Sequence, residues 1–237
     1  MTAVRAALFF VWFYGLSVPL TLAYCLLLPF PRRAMNVAVR LWAGLMVFGL
    51  EHLGGVRMEA RGLEHLPPGR ALMASKHQSL FDFIGPFLFL PDPSYVLKQE
   101  LLAIPFFGWL ARKQRMIPIH REGHAKALKD LLRAAREQLK EPRQIIIFPE
   151  GTRQKPGAAP AYKPGVAALY RDLEMPCTPM ATNSGVHLNA QGVVRRTGVM
   201  VYEVLPPIPP GLKRHEFMAA LETSIETASN ALLDAGI

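Results

Sequence analysis

The sequence has 237 residues, of which 51% are hydrophobic, and it carries a formal net charge of +9. This length fits one compact domain with a short accessory segment. A basic chain suits nucleic acid or an anionic membrane, and long uncharged apolar runs favour the membrane. The two cysteines, Cys25 and Cys177, supply no disulfide framework and no zinc or haem spacing. They fit a reducing compartment, and the sequence predicts neither a metal nor a nucleic-acid partner.

The chain divides at a Gly-Gly pair into a membrane-anchoring helical segment, residues 1–55, and a second domain, residues 56–237. Residues 6–30 contain no charge. As a helix they would extend about 37 Å, enough to cross an apolar bilayer core of about 30 Å. A cleavable signal peptide is disfavoured because Tyr24 occupies a position before Cys25 that requires a small residue.

A second apolar stretch, residues 41–50, is too short to span a bilayer. Arg32, Arg33 and Arg40 lie between or beside the two apolar segments, where we expect them to meet anionic lipid headgroups. Two arrangements stay open at this stage: a spanning helix followed by an interfacial one, or a helical hairpin within one leaflet. Both predict an anchor, and the arginines place the rest of the chain on the cytoplasmic side.

Beyond residue 56 the pattern alternates between short apolar strands and helices, which predicts an α/β domain with a mixed central sheet flanked by helices. Residues 144–148 form the clearest strand, a continuous apolar run typical of a sheet covered on both faces. Residues 124–139 form the clearest amphipathic helix. Further strands are predicted at residues 56–60, 71–75, 95–98, 116–119, 177–182 and 193–205, and further helices at 79–90, 101–110 and 216–233.

His77 and Asp82 form a candidate catalytic pair. A neutral imidazole can take a proton from an alcohol, and a carboxylate on its other nitrogen fixes the tautomer and stabilises the imidazolium. Five positions on one continuous helix would leave these side chains about 140° apart. We therefore expect His77 in a turn and Asp82 in a helix that begins near Ser79. Alone, the pair is equally compatible with a structural hydrogen bond.

A second candidate element, Phe-Pro-Glu-Gly-Thr-Arg at residues 148–153, follows the clearest strand. Gly151 permits a turn with exposed N–H groups, Thr152 adds a hydroxyl and Arg153 adds a guanidinium, all of which suit a phosphate. Glu150 repels phosphate, so we expect it to hold Arg153 or to accept a hydrogen bond from a substrate hydroxyl. An ordinary polar turn is the alternative.

Two further stretches complete the pattern. Arg121 follows the strand at residues 116–119 and either meets the same phosphate or lies in water. Pro176 and Pro179 flank an apolar strand, which indicates a pocket wall or a purely structural role.

In their order and spacing these four stretches resemble the glycerolipid acyltransferase family, most closely its bacterial 1-acyl-glycerol-3-phosphate branch. The resemblance covers roughly residues 56–205. The histidine and aspartate match the family's His-x4-Asp signature, and residues 148–153 match its Phe-Pro-Glu-Gly-Thr-Arg block without a change. Arg121 falls at the arginine of the family's second block, and Pro176 and Pro179 fall at the prolines of its fourth. Lys76 stands where many members have Asn, and His120 where many have Asp, and these departures bear on the acceptor.

The resemblance implies transfer of a fatty acyl group from acyl-CoA or acyl carrier protein to the sn-2 hydroxyl of lysophosphatidic acid, which gives phosphatidic acid. His77 would be the base and Asp82 would orient it. The resemblance implies that the enzyme needs no cofactor, since the acyl thioester is a co-substrate. It also implies a location at the inner membrane, with the catalytic domain on the cytoplasmic face. The residues implied in seating the glycerol phosphate are Arg121, Glu150, Gly151, Thr152 and Arg153.

Other functions make different demands on the sequence. A serine hydrolase needs a nucleophile, and no Gly-x-Ser-x-Gly occurs in the chain. A non-catalytic membrane scaffold would keep the anchor and the basic surface but would have no use for His77. An acyltransferase for another lysophospholipid or a lyso-amino-lipid is the most serious alternative.

Overall fold

The computed structural model describes residues 2–120 and 124–234. Within this part of the chain, seven strands form a sheet with the order β1-β7-β6-β2-β5-β3-β4. The strands are β1 (Val56–Arg61), β2 (Ala71–Ser75), β3 (Pro93–Lys98), β4 (Ile117–Ile119), β5 (Gln144–Ile147), β6 (Cys177–Thr182) and β7 (Gly198–Val204). The β6–β7 pairing is antiparallel and the other neighbouring pairs are parallel, so the predicted mixed sheet is confirmed.

Helices precede, connect and follow these strands. They are α1 (Thr2–Tyr24), α2 (Arg32–Gly49), α3 (Phe81–Ile84), α4 (Pro86–Phe89), α5 (Phe107–Lys113), α6 (His124–Gln138), α7 (Gly165–Leu173), α8 (Ser184–His187) and α9 (Arg214–Asp234). The long helices α6 and α9 lie close to their predicted positions, whereas α7 has no counterpart among the predicted helices.

Both faces of the sheet are covered, because successive side chains of a strand point to opposite sides. In β2, Ala71 and Met73 belong to a core that includes residues of α1 to α5. Leu72 and Ala74 belong to a second core with residues of α6, α7 and α9. The continuous apolar strands thus occupy the middle layer of a three-layer arrangement.

Two predicted helices are interrupted at prolines. Residues 79–90 form α3 and α4 instead of one helix, because Pro86 lacks the N–H that a helix interior uses. Residues 99–103 form a 3-10 helix, and α5 begins only after Pro105. The predicted strand at residues 193–205 was placed too early, since β7 begins at Gly198.

The carboxyl ends of β2, β5, β3 and β4 meet at one edge of the sheet, because these strands are parallel neighbours. The segments that leave this edge after β2, β5 and β3 include residues 76–80, 148–153 and 99–106. Ligands of open α/β sheets bind outside the carboxyl ends of the strands. The two candidate stretches of the sequence therefore lie side by side.

The N-terminal helices form a hairpin, and both are long and apolar enough to cross a membrane by length and composition. The second is longer than the ten residues expected, because α2 begins at Arg32 and continues through a π-helical turn, Leu50–Gly54. The hairpin also packs on the α/β domain: the rings of Phe9 and Phe13 lie 5.9 and 6.3 Å from the ring of Phe81.

The arginines of α2 do not all face outward as predicted. Arg32 forms ion pairs with Asp92 at 2.7 Å and with Glu141 at 2.5 Å. Arg40 donates to the carbonyl oxygen of Leu90 at 2.6 Å. The prediction that Arg32 and Arg40 contact lipid headgroups is therefore wrong, because their guanidinium groups dock the hairpin onto the domain. Arg33 is exposed.

Replacing Arg32 with Met should loosen this docking. We expect the free energy of unfolding to fall by about 1–2 kcal/mol, the range for hydrogen bonds to charged groups after solvent screening. The loss stays moderate because Arg143 still pairs with Asp92. Thermal unfolding in detergent measures the effect, and Arg33→Met is the matched control. Equal stability of the two variants would contradict the docking role.

Candidate active site

The candidate site lies where β2 and β5 end. The backbone N–H of Gln154 donates to the carbonyl oxygen of His77 at 2.8 Å. The imidazole of His77 stacks on the ring of Phe148, with centroids 3.9 Å apart and planes inclined by 14°. These contacts fix the histidine against the 148–153 loop, so the structure brings the two candidate stretches into one site.

The His77 and Asp82 side chains meet in the way the sequence analysis requires. His77 lies in the turn after β2 and Asp82 lies in α3. The Nδ1 atom of His77 is 3.1 Å from Oδ2 of Asp82. A carboxylate at Nδ1 favours the tautomer with its proton there, which leaves the lone pair of Nε2 for a substrate. The imidazole is 13% exposed, so a substrate atom can reach it.

The turn itself holds Asp82 in place. Its Oδ2 atom also accepts hydrogen bonds from the backbone N–H groups of Gln78 and Ser79, at 2.5 and 2.7 Å. Ser79 is not the N-cap of α3, a position that Leu80 takes, but its hydroxyl accepts the N–H of Phe81 at 3.2 Å. The five-residue spacing thus produces a closed loop around one carboxylate oxygen.

Two residues that sequence reasoning missed hold the other oxygen of Asp82. Ser184, at the start of α8, donates to Oδ1 at 2.6 Å, and the hydroxyl of Tyr202 in β7 lies 3.4 Å from the same atom. Asp82 is fully buried, so these donors replace water around its charge. Neither position forms a local pattern with the histidine, because both lie more than 100 residues away along the chain.

The loop after β5 presents polar groups beside the histidine. Gly151 has φ = +69°, a left-handed conformation that favours glycine. Thr152 and Arg153 are exposed and, among the described residues, form no hydrogen bond or ion pair. The side chain of Lys163, a second cation, lies beside this turn: its Cγ atom is 3.4 Å from the position that a β-carbon on residue 151 would take. The arrangement can receive an anion from solvent.

Glu150 has a different role from the one predicted. It does not hold Arg153. Its Oε2 atom accepts the backbone N–H of His77 at 2.8 Å, and its Oε1 atom forms an ion pair with Nζ of Lys76, also at 2.8 Å. Sequence analysis missed this contact because Glu150 is flanked by residue types that bind phosphate. Its side chain instead points into the protein and is fully buried.

Burial governs the charges of this pair. It raises the pKa of Glu150 to about 7, although the Lys76 ammonium and the His77 N–H oppose the rise. Burial acts to lower the pKa of Lys76, but hydrogen bonds and charges of Glu150 and Glu226 outweigh it, so the net shift is upward. The protonation of Glu150 therefore changes near neutral pH.

The remaining candidates contribute less to the described geometry. Arg121 lies outside the described residues, and His120 is exposed at the end of β4. Pro179 is buried within β6 beside Ala74 of β2, which fits the structural role, and Pro176 is exposed. Among the residues that the structure describes, no group of three or more His, Cys, Asp and Glu side chains could hold a metal ion.

A protein-family model described as Acyltransferase matches residues 57–183, which is more than half of the chain. The chain belongs to the acyltransferase family. The resemblance inferred from the motifs is thereby confirmed. His77, Asp82 and residues 148–153 all lie within the matched region of this acyltransferase.

Curated relatives and a solved structure agree with this assignment. A 1-acyl-sn-glycerol-3-phosphate acyltransferase of Pseudomonas aeruginosa is 34% identical over 180 residues, which cover 76% of this chain and 70% of that protein. A human 1-acyl-sn-glycerol-3-phosphate acyltransferase alpha is 31% identical over 183 residues, which cover 75% of this chain and 64% of that protein. The crystal structure of the 1-acyl-sn-glycerophosphate (LPA) acyltransferase from Thermotoga maritima matches with a TM-score of 0.79 at 21% identity, covers 98% of each chain, and establishes the fold.

Proposed function

We propose that this acyltransferase moves a fatty acyl group from a thioester donor to the sn-2 hydroxyl of lysophosphatidic acid and so forms phosphatidic acid. The observation that carries the proposal is the His77–Asp82 pair, stacked against a loop that exposes Arg153. The names of the relatives support the same acceptor.

The proposed reaction needs a base but no enzyme nucleophile. Nε2 of His77 takes the proton from the sn-2 hydroxyl as its oxygen attacks the thioester carbonyl. The tetrahedral intermediate collapses as the C–S bond breaks, and the imidazolium returns the proton to the leaving thiolate. Asp82 holds the ring and stabilises its positive charge during the two transfers. An ester bond forms, a thioester bond breaks, and the enzyme ends unchanged.

We further propose that the acceptor's phosphate binds at the exposed turn of residues 151–153. Arg153 offers a guanidinium with two parallel N–H donors, and the Lys163 side chain adds a positive charge beside Gly151. Thr152 adds a hydroxyl, and Arg121, which lies outside the described residues, is the further cation that the family resemblance implies for this phosphate. The donor is acyl-CoA or acyl carrier protein, both of which carry negative charge that suits a chain of net charge +9.

The membrane arrangement that we propose is a hairpin lying within one leaflet. At one end Phe9 contacts Phe81 of the α/β domain, and at the other end Nζ of Lys113 donates to the carbonyl oxygen of Leu28 at 2.8 Å. A spanning helix would place these ends on opposite sides of the bilayer, and one water-soluble domain cannot touch both. The exposed apolar side chains of α1 and α2 would face lipid.

A second apolar surface, called here the β3 segment (residues 99–109), supports the same placement. Leu101, Ile104, Phe106 and Trp109 are each 37% to 48% exposed. Phe106 has φ = +62°, an unfavourable conformation for a residue with a β-carbon. Because β3 ends beside β5, this segment borders the edge that carries His77. We propose that it rests on the cytoplasmic leaflet of the inner membrane and faces the site toward its lipid substrate.

Replacing His77 with Ala tests the mechanism. Acyl transfer from a labelled thioester to lysophosphatidic acid should fall by at least about 10³-fold, because no other described side chain occupies the place of the base. Membrane association and thermal unfolding should stay close to those of the unchanged protein. Transfer at the unchanged rate would end the proposal.

Replacing Arg153 with Ala tests the acceptor. The apparent KM for lysophosphatidic acid should rise about tenfold or more, as expected for the loss of a charge-assisted hydrogen bond to phosphate. Arg214→Ala, at the exposed start of α9, is the control and should leave KM unchanged. A KM that is indifferent to Arg153, with better transfer to an uncharged or zwitterionic lysolipid, would favour the alternative acceptor.

Replacing Ile104 and Trp109 together with Ser tests the contact between the β3 segment and lipid. Binding to vesicles of phosphatidylglycerol and phosphatidylethanolamine should weaken about tenfold, since the change removes two apolar side chains from the bilayer. Leu63→Ser removes an exposed leucine that follows β1 at the opposite edge and should bind normally. Equal vesicle binding by both variants would show that the segment does not touch lipid.

A further inference from the structure

A buried lysine joins the catalytic turn to the last helix of the chain. Nζ of Lys76 lies 2.8 Å from Oε1 of Glu150 and 2.7 Å from both carboxylate oxygens of Glu226 in α9. The Lys76 side chain is 2% exposed, and the hydroxyl of Tyr162 donates to Oε1 of Glu226 at 2.8 Å. The mechanism described above uses neither Glu226 nor Tyr162.

The contacts form a continuous chain that ends at the proposed base. Glu226 holds the ammonium of Lys76, Lys76 holds one oxygen of Glu150, and the other oxygen accepts the N–H of His77. A carboxylate held by a single N–H would be free to rotate, whereas one held from both sides is not. The direction of the His77 backbone thus depends on a charge that lies 149 residues away along the chain.

We infer that Glu226 is a positioning residue for His77, acting through Lys76 and Glu150, so that α9 takes part in catalysis from outside the matched family region. The inference rests on His77 being the base of the proposed reaction. Glu226 does not touch the substrate. Its part is to share the ammonium of Lys76, so that Glu150 is not drawn away from the histidine N–H.

Attachment of α9 to the sheet does not require this ion pair. Phe217, Leu221 and Ile225 on the same helix are fully buried in the core that covers β2 and β5. Burying three such side chains stabilises the attachment of α9 more than an isolated charge pair usually does. A neutral residue at position 226 should therefore leave the helix in place while it changes the charge beside the site.

Charge balance within the cluster suggests the sharpest experiment, which is a double-mutant cycle. Glu226→Gln leaves Glu150 as the only carboxylate partner of Lys76, and Lys76→Asn leaves two carboxylates without an ammonium. Each should lower kcat about tenfold with little change in the KM for lysophosphatidic acid, as for a base displaced by a fraction of an ångström. The combined variant removes both charges, so Glu150 is neither drawn toward an unshared ammonium nor repelled by an unpaired Glu226 carboxylate, and kcat should recover to within about threefold.

The pH profile of kcat/KM gives a second readout that a structural role would not move. Glu226 acts to raise the pKa of Glu150 and Lys76 acts to lower it. The acidic limb of the kcat/KM profile, to which the protonation of Glu150 contributes, should therefore shift to lower pH in Glu226→Gln and to higher pH in Lys76→Asn. The charged and titratable groups around the cluster are Lys76, His77, Glu150, Tyr162, Glu222 and Glu226. Glu222→Gln, the same change on an exposed residue one turn earlier in α9, is the control and should leave rate and limb unchanged.

The outcomes separate the inference from the proposed function. Failure of the unchanged protein to acylate lysophosphatidic acid contradicts both. Normal transfer by the unchanged protein and by Glu226→Gln contradicts the inference alone. Losses that multiply to about a hundredfold in the double variant also overturn it, because additive free energies mean that the two residues act separately. A melting temperature of Glu226→Gln well below that of Glu222→Gln, without recovery in the double variant, gives Glu226 a structural role instead.

Discussion

The site depends on one buried carboxylate. Asp82 accepts hydrogen bonds from the turn that carries His77, from the histidine ring, and from a serine at the start of α8. Placing a charge in the interior without such partners would cost several kcal/mol, so the fold surrounds it with donors from three parts of the chain. The orientation of the imidazole, which stacks on Phe148 of the neighbouring loop, follows from this arrangement.

A second layer of charge supports the first. Glu150 lies behind the histidine backbone, and Lys76 and Glu226 lie behind Glu150. Of this cluster, Glu150 stands in the sequence among residue types that bind phosphate, but its side chain is directed inward. The exposed Arg153 and the buried Glu150 thus divide one six-residue stretch between substrate and scaffold. Residues of one tight turn can serve both the substrate and the protein interior, because their side chains point in different directions.

The sequence predicted the parts of the structure that depend on local pattern. The strand at residues 144–148 and the amphipathic helix from residue 124 follow from hydrophobic periodicity, and the turn-then-helix placement of His77 and Asp82 follows from helix geometry. The helices predicted around Pro86 and Pro105 are too long, because the apolar residues on both sides of each proline are typical of one continuous helix. The partners Ser184, Tyr202 and Glu226 could not be found, since only the fold brings distant positions together.

The hairpin also has a consequence for how the enzyme would meet its acceptor. With the hairpin in one leaflet, as proposed, the contacts of α1 and α2 with the domain near both ends would hold the catalytic edge at a fixed height above the lipid surface. An acceptor would then arrive by lateral diffusion in two dimensions, and its product would leave by the same route. Turnover in such a geometry follows the mole fraction of lysolipid in the leaflet and not its concentration in bulk water, so dilution with inert lipid would slow an enzyme that dilution with buffer leaves unaffected.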